Sequence, residues 1–177
     1  GIGGTNEEYI KSVAETSNGG YIVGGYFESS SIDLGNGISL TNHKEDRYED
    51  HYDGMVIKYS QDGEVEWAKG IGGTSDDYIR SVAECRDGSY IVGGNFESTT
   101  INLENGISLT NKGHPDGMVI KYSQDGEVEW AQGIGETGPD YINSVAECNE
   151  GGYIVGGDFC SSSIDLGNGI SLTNHKE

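Results

Sequence analysis

The stretch Asp53–Ala68, DGMVIKYSQDGEVEWA, returns letter for letter at Asp116–Ala131. An identity of that length within one chain is an internal repeat, and it restricts the fold to an architecture built from copies of one unit. Inside the unit the apolar residues alternate. Met55, Ile57 and Tyr59 fall on one face, and Val65 and Trp67 resume the phase after Gln61-Asp62-Gly63. Alternation on both sides of an Asp-Gly turn predicts two antiparallel strands joined by a hairpin.

The flanking sequence shows where each copy begins. GIGGT at Gly1 and Gly70 and GIGET at Gly133 set spacings of 69 and 63 residues, so the chain divides into repeats 1–69, 70–132 and a partial 133–177. Each copy opens on a predicted strand starting at Tyr9, Tyr78 or Tyr141, then a turn, then a second strand starting at Tyr21, Tyr90 or Tyr153. A Gly-Gly pair interrupts that second strand (Gly24-Gly25, Gly93-Gly94, Gly156-Gly157). Glycine is costly inside a strand, so the pair predicts a bulge or a close backbone approach, such as crowding near an axis. Next, Ile32 and Leu34 precede Asn36-Gly37, and Ile38 and Leu40 follow it, which predicts a small β-arm projecting from the second strand. Copies 1 and 2 differ mainly in the loop after the arm, long at 43–53 and short at 111–116. Ser161–Glu177 repeats Ser29–Glu45 without a change, so the chain reads as a window on a longer array that alternates long and short loops.

Composition supports strands over helices. Thirty glycines against two prolines, with eleven tyrosines, suit an all-β chain with many turns. Thirty acidic against ten basic residues give a formal charge of −20. Such a surface repels nucleic acid and anionic membranes and leaves cations, basic proteins and neutral ligands as partners. No apolar run approaches the length of a membrane-spanning helix. Cys85 and Cys148 stand where the first copy has Thr16, and Cys160 stands where Glu28 and Glu97 do. That scatter is neither a disulfide framework nor a metal spacing.

Four strands per copy, arranged as two hairpins, point to the four-stranded antiparallel blades of a β-propeller, an incomplete ring within this chain. The period exceeds the ~40–50 residues of compact blades, and the arm with its loop accounts for the excess. The run SIDLGNGISLTN…DGMVIKYSQDGEVEWAKGIGG, followed by DDYIRSVAECRDGSYIVGGNF, resembles the bacterial β-propeller repeat known as the SBBP repeat. That family is marked by a D-G-F/M-V-x-K-Y strand, a turn, a Trp and a closing G-G, and the likeness covers nearly the whole chain. It implies propeller blades within large secreted or surface-attached bacterial proteins, hence an extracellular or cell-surface location, and it implies no shared catalytic residues. Ser60–Trp67 is also similar, with the Gly one place early, to the S-x-D-x-G-x-x-W box of sialidase-type propellers, which is a structural turn and not a catalytic one.

Two constellations stand out as candidate sites. Acidic residues precede each first strand: Glu7-Glu8, Asp76-Asp77 and Asp140. If that strand is innermost in a propeller, Glu8, Asp77 and Asp140 form part of a carboxylate ring able to hold a cation such as calcium or to bond sugar hydroxyls; the alternative is solvated turn residues. The long loop offers Tyr48, His51 and Tyr52 as contacts for a protein or glycan, while the spacing of His43 and His51 matches no recognised metal motif. Trp67 and Trp130 recur at one station and are expected to be largely buried between neighbouring repeats. No P-loop, G-x-S-x-G, C-x-x-C or EF-hand run is present. Near-identical copies favour a non-catalytic structural or binding module over an enzyme, which needs a unique acid–base pair. The alternatives are part of a carbohydrate-active propeller enzyme and a fibre-forming subunit that self-associates.

Overall fold

The computed structural model describes residues 1–43, 51–149, 151–167 and 169–175. In the first repeat β1 (Glu8–Glu15) and β2 (Tyr21–Phe27) form a hairpin, the arm is β3 (Ser31–Gly35) with β4 (Ile38–Thr41), and the repeated stretch is β5 (Asp53–Tyr59) with β6 (Val65–Ile71). The second repeat follows with β7 (Asp77–Glu84), β8 (Tyr90–Phe96), β9 (Thr100–Asn102), β10 (Ser108–Thr110), β11 (Asp116–Tyr122) and β12 (Val128–Ile134). The third has β13 (Asp140–Glu147), β14 (Tyr153–Phe159), β15 (Ser163–Gly167) and β16 (Ile170–Thr173). The protein is all-β, with antiparallel sheets. Two of them have four strands, in the orders β1-β2-β5-β6 and β7-β8-β11-β12. β13 and β14 form a two-stranded third sheet, and each arm pairs only with itself.

The glycine pair proves to be two devices side by side. Pairing skips one residue between Ile10 and Ser12, Ile79 and Ser81, and Ile142 and Ser144. The extra residue shifts the phase of the strand, so residues three apart point the same way. Ile79 and Val82 therefore both reach the first sheet, where a Cβ on Gly24 would lie 2.9 Å from Ile79 Cγ2 and 2.6 Å from Val82 Cγ1. Ile142 and Val145 meet Gly93 of the second sheet in the same way, at 2.9 and 2.5 Å. The second glycine of each pair, Gly25, Gly94 or Gly157, faces the carbonyl oxygen of Tyr9, Tyr78 or Tyr141 beside the bulge, where no side chain fits.

These contacts stack the sheets face to face. Ile22 and Val56 of the first sheet join Ile79, Val82 and Val92 in one core, while Ile91 and Val119 on the opposite face of the second sheet join Ile142 and Val145. Serine hydroxyls tie the same faces together: Ser12 Oγ accepts the Val82 amide at 3.1 Å and Ser81 Oγ that of Val145 at 3.2 Å. Trp67 lies between sheets, as its recurrence suggests, but is half-buried. Its ring packs on Tyr90 and Tyr122, with centroids 5.7 and 5.9 Å away, and its indole N–H donates to the Gln124 carbonyl at 3.1 Å. Trp130, also half-buried, packs on Tyr153 at 5.6 Å.

The arm does not project. It folds back onto its own sheet, where Ile32 and Leu40 are buried with Phe27, Met55 and Ile57. Its turn differs between copies for a local reason. Gly35, Asn36 and Gly37 all take positive φ (84°, 54°, 77°), whereas the second copy has Glu104 at the first of these stations. Glutamate avoids that region, so Glu104 leaves positive φ while Asn105 and Gly106 keep it (60° and 74°). Lys58 interrupts the apolar run of β5 yet is buried, because its ammonium donates to Glu66 at 2.9 Å and to the Tyr59 carbonyl at 2.8 Å.

The stacking gives a matched test. Gly93→Ala forces a methyl group against Val145 and Ile142 and is expected to cost about 1–3 kcal/mol. At the equivalent Gly156 nothing lies closer than Ser144 Cβ at 3.9 Å, so Gly156→Ala should stay within about 0.5 kcal/mol of the parent. Urea denaturation of the two variants checks the difference; equal losses would refute the contact as the reason for the glycine.

Candidate functional site

The most distinctive surface lies where the first two sheets meet. Tyr9 and Tyr26 are cross-strand partners in β1 and β2, Tyr52 immediately precedes β5, and Tyr78 is the second residue of β7. Two backbone contacts bring Tyr52 to Tyr78: the Tyr52 amide donates to Asp76 Oδ1 at 2.9 Å and the Tyr52 carbonyl accepts from the Asp77 amide at 2.6 Å. The four rings form one cluster. Centroid separations are 5.1 Å for Tyr9–Tyr26, 5.2 Å for Tyr26–Tyr52, 4.8 Å for Tyr26–Tyr78 and 5.9 Å for Tyr52–Tyr78, mostly tilted or edge-on. Tyr9 is 39 % exposed and the other three are half-buried.

Carboxylates surround the rings. Glu7 Oε2 accepts the Tyr9 hydroxyl at 2.6 Å and that of Tyr52 at 3.5 Å, and Asp76 Oδ2 accepts the Tyr78 hydroxyl at 2.9 Å. The hydrogen bond to Glu7, with its charge, pushes the Tyr9 phenol up to about 12. Burial, and then Asp76, raises Tyr78; burial, and then the charges of Glu28 and Glu7, raises Tyr52. These phenols stay neutral at physiological pH. Three of the four hydroxyls, those of Tyr9, Tyr52 and Tyr78, are thus held by acids.

Cations already use such faces. Lys11 Nζ stands 5.6 Å from the Tyr26 centroid. At the second junction Asn95 and Pro115 replace Tyr26 and Tyr52, and the guanidinium of Arg80 fills the gap, 5.7 Å from the rings of both Tyr78 and Tyr141. Arg80 Nε also donates to Asn95 Oδ1 at 2.6 Å. Lys11 and Arg80 are the extra residues of their bulges, so one backbone irregularity both seats the isoleucine–valine pair and presents a cation to the tyrosines.

The carboxylates expected to ring a channel are engaged locally. Asp77 and Asp140 are 0 % and 2 % exposed. Asp77 accepts the amides of Gly73 (3.0 Å), Glu97 (3.1 Å) and Ser98 (3.3 Å) and the Ser98 hydroxyl (2.6 Å). Asp140 repeats this with the amides of Glu136, Cys160 and Ser161 and the Ser161 hydroxyl. Glu8, with a longer side chain and part exposed, accepts the Gly4 amide and the Ser29 hydroxyl. Each carboxylate thus fastens the loop entering a first strand to the serine that follows the second strand. Among the described residues no group of three or more His, Cys, Asp or Glu side chains is placed to hold a metal ion.

Of the loop residues expected to meet a partner, Tyr48 lies outside the described residues. His51 is 6 % exposed rather than at the surface, with its ring beside the buried Asp53 (Nε2–Oδ1 3.9 Å) and its carbonyl bonded by Asn42. Tyr52 joins the surface cluster. The sequence alone does not single out Tyr9, Tyr26 and Tyr78, although it carries a signal: Tyr9 and Tyr78 occupy one recurring station, and Tyr26 is an aromatic exception where Asn95 and Asp158 stand in the sister copies. Comparison with protein-family models and with curated proteins gives no match for this chain.

Burial pushes the Asp77 carboxyl up to about 7 against the pull of Ser98, and the charge of Asp53 adds to the rise. The folded chain therefore keeps a proton there that an unfolded chain releases near pH ~4. Its stabilising contribution is complete below that lower value and is lost as pH rises towards 7. Urea midpoints across pH 4–8 should show this decline, and Asp77→Asn should flatten it while lowering overall stability by about 1–3 kcal/mol. An unchanged slope in the variant would assign the pH dependence elsewhere.

Proposed function

We propose that this chain is a non-catalytic binding module whose repeated sheets are blades of a β-propeller of the SBBP kind, working outside the cell or on its surface. The observation that carries the reading is the four-tyrosine cluster between the first two sheets. Four aromatic rings gathered at a surface, with the hydroxyls of Tyr9, Tyr52 and Tyr78 fixed by acids, give a large contact area at low entropic cost, which is what a protein or glycan partner needs. Two features support the blade assignment: the four-stranded order of the first two sheets, and the same isoleucine–valine contact onto glycine at both junctions. Against the carbohydrate-active alternative, Asp77 and Asp140 share one set of bonds to backbone amides and a serine, where acid–base chemistry calls for two unlike carboxyls. The test is chemical-shift mapping of the labelled chain against neutral oligosaccharides and basic peptides. One class should move Tyr9, Tyr26, Tyr52 and Tyr78 together, and silence from both would overturn the reading.

A second reading, self-association or continuation with further blades, is favoured by the outer faces. Ile10 and Val13 match Ile79 and Val82 but are 44 % and 59 % exposed on the first sheet, while Gly156 of the third sheet is open to receive such a pair. Unpaired apolar faces of this kind recruit like faces. Sedimentation should show concentration-dependent association that Val13→Asp reduces; a monomer at all concentrations would count against it.

A further inference from the structure

We infer that the tyrosine surface takes a cationic side chain, an arginine on an exposed segment of a partner protein. The inference rests on the binding-module reading above and names the chemistry of the ligand.

The argument is internal to the molecule. The first and second junctions are built on one plan, and at the second the plan is complete. Arg80 extends from the bulge of β7, lies against the rings of Tyr78 and Tyr141, and is anchored by Asn95. At the first junction Lys11 occupies the station of Arg80, but Tyr26 and Tyr52 stand in the space that Arg80 fills in the next copy. Lys11 lies over Tyr26, and Tyr9 remains 39 % exposed. Among the described residues, the first junction thus carries more aromatic surface than Lys11 covers.

Charge points to the same ligand. Glu7 and Asp76 hold the hydroxyls of Tyr9, Tyr52 and Tyr78, and the charge of Glu97 bears on Tyr78. Among the described residues, Glu7, Asp76 and Glu97 thus stand with Lys11 and Arg80 around the rings, within a chain of net charge −20. A guanidinium lies flat on a ring while its N–H groups reach carboxylates at the edge, and it is less strongly hydrated than an ammonium. A neutral sugar could donate hydroxyls to the acids but carries no charge for them to attract. Long-range attraction from the acidic surface would also speed the encounter with a basic segment.

The experiment titrates the labelled chain with acetyl-Gly-Arg-Gly-Arg-Gly-amide, with the same peptide carrying citrulline for arginine, and with neutral oligosaccharides. Citrulline keeps the shape of arginine and removes its charge. Arginine peptide should shift the signals of Tyr9, Tyr26, Tyr52 and Tyr78, with citrulline binding about tenfold weaker or more. Tyr26→Asn, which installs the residue the second repeat carries at that station, should weaken the arginine peptide by a similar factor and leave the fold intact. Equal binding of the citrulline peptide, or an unaffected Tyr26→Asn variant, overturns the inference. Tyrosine shifts with an oligosaccharide and none with arginine overturn it while leaving the binding-module reading standing; no shift with any probe ends both.

Discussion

Close approach between sheets rests on the absence of side chains at Gly24 and Gly93, where the branched residues of the following sheet insert. A sheet normally keeps its neighbour at about 10 Å because side chains from both faces interdigitate. Glycine on one face lets Ile79 and Val82, or Ile142 and Val145, meet backbone directly. Strand interiors disfavour glycine by roughly 0.5–1 kcal/mol relative to alanine, so the pattern persists only where burial of the inserted pair offsets that cost. The bulge is part of the same arrangement. Without it, residues three apart would face opposite sides and only one of each pair would reach the neighbour.

Around this contact the loops are fixed by polar bonds that repeat with the copies. The carboxylates of Asp77 and Asp140 each collect three amides and a serine hydroxyl, and Asn42 and Asn111 each bond the carbonyl that ends the second strand and one that precedes the third. These are buried acceptors and donors meeting their requirement inside the fold. A carboxylate used this way has a structural reason to recur in every copy, which weakens recurrence as a sign of ligand binding.

The tyrosine surface arises from departures from the repeat. Tyr26 and Tyr52 differ from Asn95 and Pro115, while Tyr9 and Tyr78 follow the common pattern. A repeat scaffold holds the backbone constant, so two differences, one in β2 and one just before β5, separate an arginine-filled junction from an aromatic cluster. The same logic explains the arm, where glutamate in place of glycine changes the turn and leaves the packing of Ile101 and Leu109 in place.

Period-two alternation and turn residues determined the strands, the hairpins and the all-β class from the sequence alone, because both are local properties of a pleated chain with one face buried. The glycine pair likewise announced a bulge or close approach. What alternation cannot encode is which side of each feature a neighbour will occupy. The arm carries apolar residues in a pattern compatible with projecting or folding back, and only the apolar side chains of Phe27, Met55 and Ile57, which the arm helps to bury, decided that it folds back. Asp77 and Asp140 read as turn acids or ligands until the serine twenty-one residues on was brought to them. Tyr9, Tyr26, Tyr52 and Tyr78 span nearly seventy residues, so their union is a property of two sheets stacked at one distance, set by the side chain that glycine lacks.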